Sequence, residues 1–205
     1  MVVYKLHYFE ELGGRVEPIR LLLAYGRIPY ENVDIRREDW PKLKSNYPNA
    51  QIPILEEDGK ILTQSIAIAR YFAKKLNLLG GNDWEEAQAD ALVASVEDTV
   101  DALRPNEMIM KIVRGEAAEL QEEITEALRP FLERLEKLLS TTNGQNLVGN
   151  RLTWADFVLA DLYKRYCFAV PDLLNGFPKV NKFANCIYDL PGVKEHVAKR
   201  SIKNL

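Results

Sequence analysis

Gln51-Ile52-Pro53-Ile54-Leu55-Glu56-Glu57-Asp58-Gly59-Lys60-Ile61-Leu62-Thr63-Gln64-Ser65-Ile66-Ala67-Ile68-Ala69-Arg70-Tyr71 decides the fold of the first half of the chain. Ile52 to Leu55 and Lys60 to Leu62 are β-rich runs separated by Glu57-Asp58-Gly59, which reads as a hairpin. Ser65, a favoured N-cap residue, opens a helix from Ile66 to about Leu76. Working back toward the N-terminus, Val3 to Tyr8 alternates, with Tyr4, Leu6 and Tyr8 on one face and Lys5 and His7 on the other, which is strand period. Gly13-Gly14 breaks that strand. Val16, Ile19, Leu22 and Leu23 then recur at helical spacing, with Pro18 early in the helix and Gly26 just past its end. Tyr30 to Ile35 reads as a second strand and Trp40 to Lys44 as a short helical turn. The order is β-α-β, then β-β-α.

Beyond Gly80-Gly81, which reads as a linker, the pattern is almost entirely helical. Trp84, Ala87, Ala91, Ala94 and Val100 fall near one face of a long helix that Pro105 ends or kinks. Leu120, Ile124, Leu128, Phe131, Leu135 and Leu138 make the next apolar stripe, with Pro130 a bend. Asn143-Gly144 is a turn, and shorter helices follow near 154–166, 179–189 and 191–199. Charge shifts at the same boundary. Residues 1–80 carry 12 basic and 10 acidic side chains, and residues 81–205 carry 15 and 20. The expected domains are therefore 1–79 and 82–205.

Composition excludes several classes of function. The net charge of −3 comes from well-mixed charges, without the basic run that tracks a phosphate backbone, so nucleic acid is not an expected partner. No apolar run approaches the roughly 18 residues of a membrane span. The N-terminal stretch holds Lys5 and His7 and does not read as a signal peptide, so the expected location is the cytoplasm. Two cysteines rule out a disulfide scaffold. Two histidines, His7 and His196, rule out a His-rich zinc site, and no HExxH, GxSxG, GxGxxG or P-loop motif is present.

A β-α-β/β-β-α unit with a proline directly before its third strand resembles the thioredoxin fold. No cysteine occurs before Cys167, so dithiol chemistry is absent, and Tyr8-Phe9 stands where a CxxC would. With an all-helical half behind it, the chain resembles a cytosolic glutathione transferase of the sigma class, nearest to nematode-type members. The resemblance is carried by Tyr4-Lys5-Leu6 with Tyr8-Phe9, Gly14-Arg15, Trp40 with Lys44, Gln51 to Leu55, Gln64 to Tyr71, and Leu152-Thr153-Trp154-Ala155-Asp156-Phe157. It spans the whole chain. It implies an α/β thioredoxin-like domain that binds glutathione, followed by an all-α domain with the acceptor site.

The resemblance also implies roles. Tyr8 would donate a hydrogen bond to the glutathione sulfur. Lowering a thiol pKa by about two units needs roughly 2.7 kcal/mol, and one hydrogen bond to a charged group supplies about 1.5–3 kcal/mol. Arg15 reads equally as a solvated charge at a helix start and as a source of positive potential beside that sulfur. Gln64 and Ser65, at a helix N-terminus, would hold the γ-glutamyl carboxylate, although Ser65 also suits a plain N-cap. Gln51, Ile52 and a cis Pro53 would present backbone to the cysteinyl unit like an added strand. Trp40 and Lys44 match residues at the glycyl end. Asp98 would reach the glutathione of a second subunit in a homodimer. Candidates for the acceptor wall are Phe9, Leu12, Gly14, Arg15, Val100, Leu103, Met108, Val158, Leu162 and Leu205.

Some sigma-class prostaglandin isomerases bind a divalent cation on the long helix. Ala94 stands where one of the acids would sit, and no metal is expected. Thr153 to Asp156 is a capping box with Leu152 and Phe157 as its staple, a structural device. Cys167 and Cys186 are expected to be inert core residues. The expected activity is conjugation of glutathione, as co-substrate, to small hydrophobic electrophiles. Alternatives are a glutathione-dependent prostaglandin H2 to D2 isomerase, a non-catalytic carrier of haem or similar ligands, and a structural relative without activity.

Overall fold

The computed structural model describes residues 3–11, 13–103, 107–116, 118–142 and 144–200. Alternation in the first strand sets the layering. In β1 (Tyr4–Phe9), Tyr4, Leu6 and Tyr8 are buried, while Lys5, His7 and Phe9 are half-buried. β1 pairs in parallel with β2 (Glu31–Ile35) and antiparallel with β3 (Ile54–Glu57), whose hairpin partner is β4 (Lys60–Thr63). The sheet order is β2-β1-β3-β4, with Leu6 opposite Asn32 on one side and Leu55 on the other. α1 (Glu17–Tyr25) and α3 (Ser65–Lys75) pack together, and α3 turns Ile68, Ala69, Phe72 and Ala73 into the core. α2 (Trp40–Leu43) is a single turn with nothing buried.

The second half holds α4 (Asp83–Ala102), α5 (Met108–Arg114), α6 (Gln121–Thr141), α7 (Trp154–Tyr166), α8 (Pro178–Tyr188) and α9 (Val193–Lys199). Asn82 caps α4, its Oδ1 accepting from the backbone N–H of Trp84 and of Glu85 at 3.0 Å each. α7 is the central post, with every residue but Lys164 buried. Its start is the capping box read from the sequence. The Thr153 N–H donates to Asp156 Oδ2 at 2.7 Å, and the Leu147 N–H donates to Asp156 Oδ1 at 2.8 Å. Burial pushes the Asp156 carboxyl up to about 6 despite these donors. α1 joins the two halves, because Glu17 to Leu23 are all buried and the helix touches α3, α7 and α9.

The structure departs from the sequence expectations at several points. Ser65 is the first residue of α3, and Gln64 holds the cap position. Trp84, Ala87, Ala91 and Ala94 lie on the outside of α4, with Trp84 73% exposed, while Ala89, Val93 and Thr99 face inward. Cys167 is half-buried at the C-terminal cap of α7, where burial raises its thiol pKa, and Cys186 is exposed on α8. α5 was not legible in the periodicity. Pro130 sits inside α6, which continues through it to Thr141. Pro105 and Asn143 lie outside the described residues.

Candidate functional site

The site begins at Tyr8, at the end of β1 and 9% exposed. Its hydroxyl oxygen accepts the backbone N–H of Arg15 at 3.3 Å. A hydroxyl that accepts from the backbone keeps its own proton to donate elsewhere. Between the two lies Gly14, at φ +46°, where a Cβ would stand 2.5 Å from the Tyr8 hydroxyl oxygen. Only glycine fits that left-handed, crowded position without displacing the phenol. The Arg15 guanidinium turns to α4 and meets the Glu97 carboxylate two-pronged, at 2.5 and 3.1 Å. That hydrogen-bonded pair raises the Arg15 pKa, so the cation is fixed in place.

Two adjoining hollows lie here, with Phe9, Arg15, Trp40 and Ser65 in the lining of both and Tyr8 in that of the second. The first is a polar groove lined by Trp40, Gln51, Ile52, Pro53, Gln64 and Ser65, among others. The Ile52–Pro53 bond is cis. Gln64 is held at φ 71°, ψ 115°, sparsely populated backbone for a residue with a Cβ. That geometry swings the chain from β4 into α3 with no side chain capping the helix. The first intrahelical bond runs from the Ile68 N–H to the Gln64 carbonyl at 2.9 Å. The earlier N–H groups and the positive end of the helix dipole are thus available to a carboxylate in the groove.

The second hollow is a cavity of about 510 Å³ between the two halves, mostly apolar, into which Phe9, Gly14, Val100, Val158 and Leu162 project with Tyr8 and Arg15. A polar groove that suits an extended peptide with a free carboxylate, beside an apolar cavity with a phenol in its wall, is a site for two ligands of unlike polarity.

The family follows from comparison with known proteins. The glutathione S-transferase N-terminal domain matches residues 4–74, and the C-terminal domain of the same family matches residues 106–200. This chain belongs to the glutathione S-transferase family. It is 34% identical to "Glutathione S-transferase 1" of Ascaris suum over 98% of both chains. It is also 34% identical to "Hematopoietic prostaglandin D synthase" of Homo sapiens over 96% of both. The crystal structure of the glutathione S-transferase from Ascaris lumbricoides superposes with a TM-score of 0.85 at 34% identity, covering 96% of this chain and 97% of that one.

Within this glutathione S-transferase fold, Tyr8, Arg15, Trp40, Gln51, Ile52, Pro53, Gln64 and Ser65 come together around the two hollows. Lys44 is exposed just after α2 and lines neither; Asp98 is exposed on α4 and lines neither. Leu103 and Met108 are turned into the core, and Met110 is on the cavity wall in their stead. Leu12 and Leu205 lie outside the described residues.

Three residues enter the site without a sequence signal pointing to their roles: Glu97, the partner of Arg15, and Arg165 and Tyr166 on the cavity wall. Tyr166 alone has a trace in the spacing, since Trp154, Val158, Leu162 and Tyr166 recur at every fourth residue of α7. Among the described residues no group of three or more His, Cys, Asp or Glu side chains is placed to hold a metal ion. No helix among them is long and apolar enough to cross a membrane.

Proposed function

We propose that this chain is a glutathione transferase that activates the thiol of glutathione at Tyr8 and conjugates it to hydrophobic electrophiles held in the apolar cavity. The observation that carries this reading is the Tyr8 hydroxyl, which accepts from the Arg15 N–H at 3.3 Å and keeps its proton for a sulfur in the apolar cavity that Tyr8 lines beside the groove. Gln51 and Ile52 would meet the cysteinyl unit. Gln64 and Ser65 would take the γ-glutamyl carboxylate at the N-terminus of α3, and Trp40 with Lys44 the glycyl end. Arg15, already paired with Glu97, would add a damped positive field. The chemistry needs no metal, and the cytosol is the compartment where glutathione is kept reduced. Titrating the ultraviolet absorbance of the glutathione thiolate in the presence of protein tests the reading. Bound thiol should ionise below its free pKa of about 8.5, and an unshifted titration would overturn the assignment.

The division into a glutathione-binding domain, 1–79, and an acceptor-binding domain, 82–205, belongs to the same proposal. So does a homodimer of the sigma-class type. Its support is the exposed outer face of α4, where Trp84, Ala87, Ala91 and Ala94 form an apolar stripe that ends near Asp98. Sedimentation at micromolar concentration should give twice the chain mass. Likeness to the prostaglandin D synthases favours one second activity, isomerisation of prostaglandin H2. Product analysis separates it from conjugation, because an isomerase leaves glutathione unconsumed.

A further inference from the structure

The inner wall of the cavity is one face of α7, where Val158, Leu162, Arg165 and Tyr166 follow at helical spacing. Amid an apolar lining Arg165 is out of place. It is 9% exposed, and its Nε donates to Asp161 Oδ2 at 2.5 Å. Its two terminal nitrogens have no hydrogen-bond partner among the described residues. A guanidinium offers five donors, and a buried charge is normally hydrogen-bonded throughout.

Asp161 does not cancel this charge by itself, because it belongs to a larger buried cluster. Its other oxygen accepts from the Tyr188 hydroxyl at 3.1 Å. The Arg200 guanidinium lies 5.3 Å from the Tyr188 ring and 2.5 Å from Glu17, which also meets His196 at 2.9 Å and Arg20 at 3.5 Å. Among the described residues Asp161 is thus shared by Arg165 and Tyr188, and Glu17 by Arg200, His196 and Arg20. Arg165 is the member of this cluster that reaches the cavity. The other two arginines on the cavity wall are engaged differently. Arg15 is held two-pronged by Glu97, and Arg37 lies over the Phe9 ring at 5.7 Å.

We infer that Arg165 is a specificity-determining residue that receives the carboxylate of an apolar ligand bound in the cavity. Its two terminal nitrogens present a planar edge that matches a carboxylate. The ligand class is an apolar carboxylic acid, its body along Val158 and Leu162 and its charged end at Arg165. That such a ligand is an acceptor substrate rests on the transferase reading; that it binds does not.

The test is calorimetric titration of the protein, glutathione present, with 4-phenylbenzoate and its uncharged counterpart 4-phenylbenzamide. The acid should bind at least tenfold tighter than the amide. Arg165→Met should bring that ratio close to one, and Arg165→Lys should retain part of it. Should Arg165→Met fail to fold because Asp161 is left unpaired, Asp161→Asn/Arg165→Met removes both charges and carries the same expectation. Equal binding of acid and amide by the wild type, or a preference that survives the loss of Arg165, overturns the assignment. Wild-type conjugation of 1-chloro-2,4-dinitrobenzene is read separately. Conjugation without an acid preference sinks this inference alone, and an acid preference without conjugation sinks the transferase reading alone.

Discussion

Tyr8→Phe removes one proton donor and keeps the ring that packs in the core. If the hydroxyl stabilises the thiolate, the pKa of bound glutathione should rise by a unit or more, at about 1.36 kcal/mol per unit. The kcat/KM for an aryl halide at neutral pH should then fall roughly tenfold. Part of the loss should return at alkaline pH, where the thiol ionises unaided, and a profile that overlays wild type would remove Tyr8 from the mechanism. Gly14→Ala probes the same atom from the other side. Its Cβ would meet the Tyr8 hydroxyl oxygen at 2.5 Å in a left-handed backbone that costs a residue with a side chain about 1–2 kcal/mol. The expected signature is a several-fold drop in kcat with a smaller change in the glutathione KM, because the groove at Gln51 and Gln64 is untouched; equal kcat in both proteins would count against it. Tyr8 and Gly14 were legible because each stands in a short local motif. Glu97 and Arg165 were not, because their partners or their cavity come from packing. A glutamate on a long helix looks solvated until Arg15, 82 residues earlier, is folded against it.

Capping decides the start of α7. Thr153→Ala should destabilise the protein by roughly 0.5–2 kcal/mol, as loss of an N-cap does. Kinetics measured on the folded variant should stay near wild type. Urea denaturation with parallel assays checks this, and an activity loss without destabilisation would give Thr153 a different role. The same logic explains what could be read at this scale. The box Thr153 to Asp156, the alternation of β1 and the hairpin around Gly59 are written in neighbouring residues. The register of α4 is not. Its outer positions, Trp84, Ala87, Ala91 and Ala94, are as apolar as its inner ones, Ala89 and Val93, so spacing alone could not say which face turns inward. The Ser65 boundary moved by one residue because the chain enters α3 through the unusual backbone of Gln64.

Acid should weaken the whole fold through Glu17. Hydrogen bonding from His196 and the charges of Arg200 and Arg20 outweigh burial and hold its carboxyl down at about 2, against 4.5 unperturbed. A depressed acid contributes stability that is fully present above pH 4.5 and is lost as pH falls through 2. The contribution is on the order of 3 kcal/mol. Asp156 has the opposite sign. Its raised pKa favours the folded state at low pH, and that advantage disappears as pH rises through about 6. The comparison that isolates Glu17 is therefore wild type minus Glu17→Gln, which should be large at pH 7 and shrink steadily below pH 4.5 in urea denaturation. A difference that does not vary with pH would refute it. Nothing in the sequence announced this contact, since His196 lies 179 residues from Glu17. The consequence lies in how α1 is shared. A helix counted with the sheet but walled by α3, α7 and α9 leaves no seam along which one half can melt first. Calorimetry should record one transition, its van't Hoff enthalpy matching the calorimetric one per cooperative unit. The sheet-bearing half, expressed without its helical companion, should behave as an unfinished molecule rather than as a module.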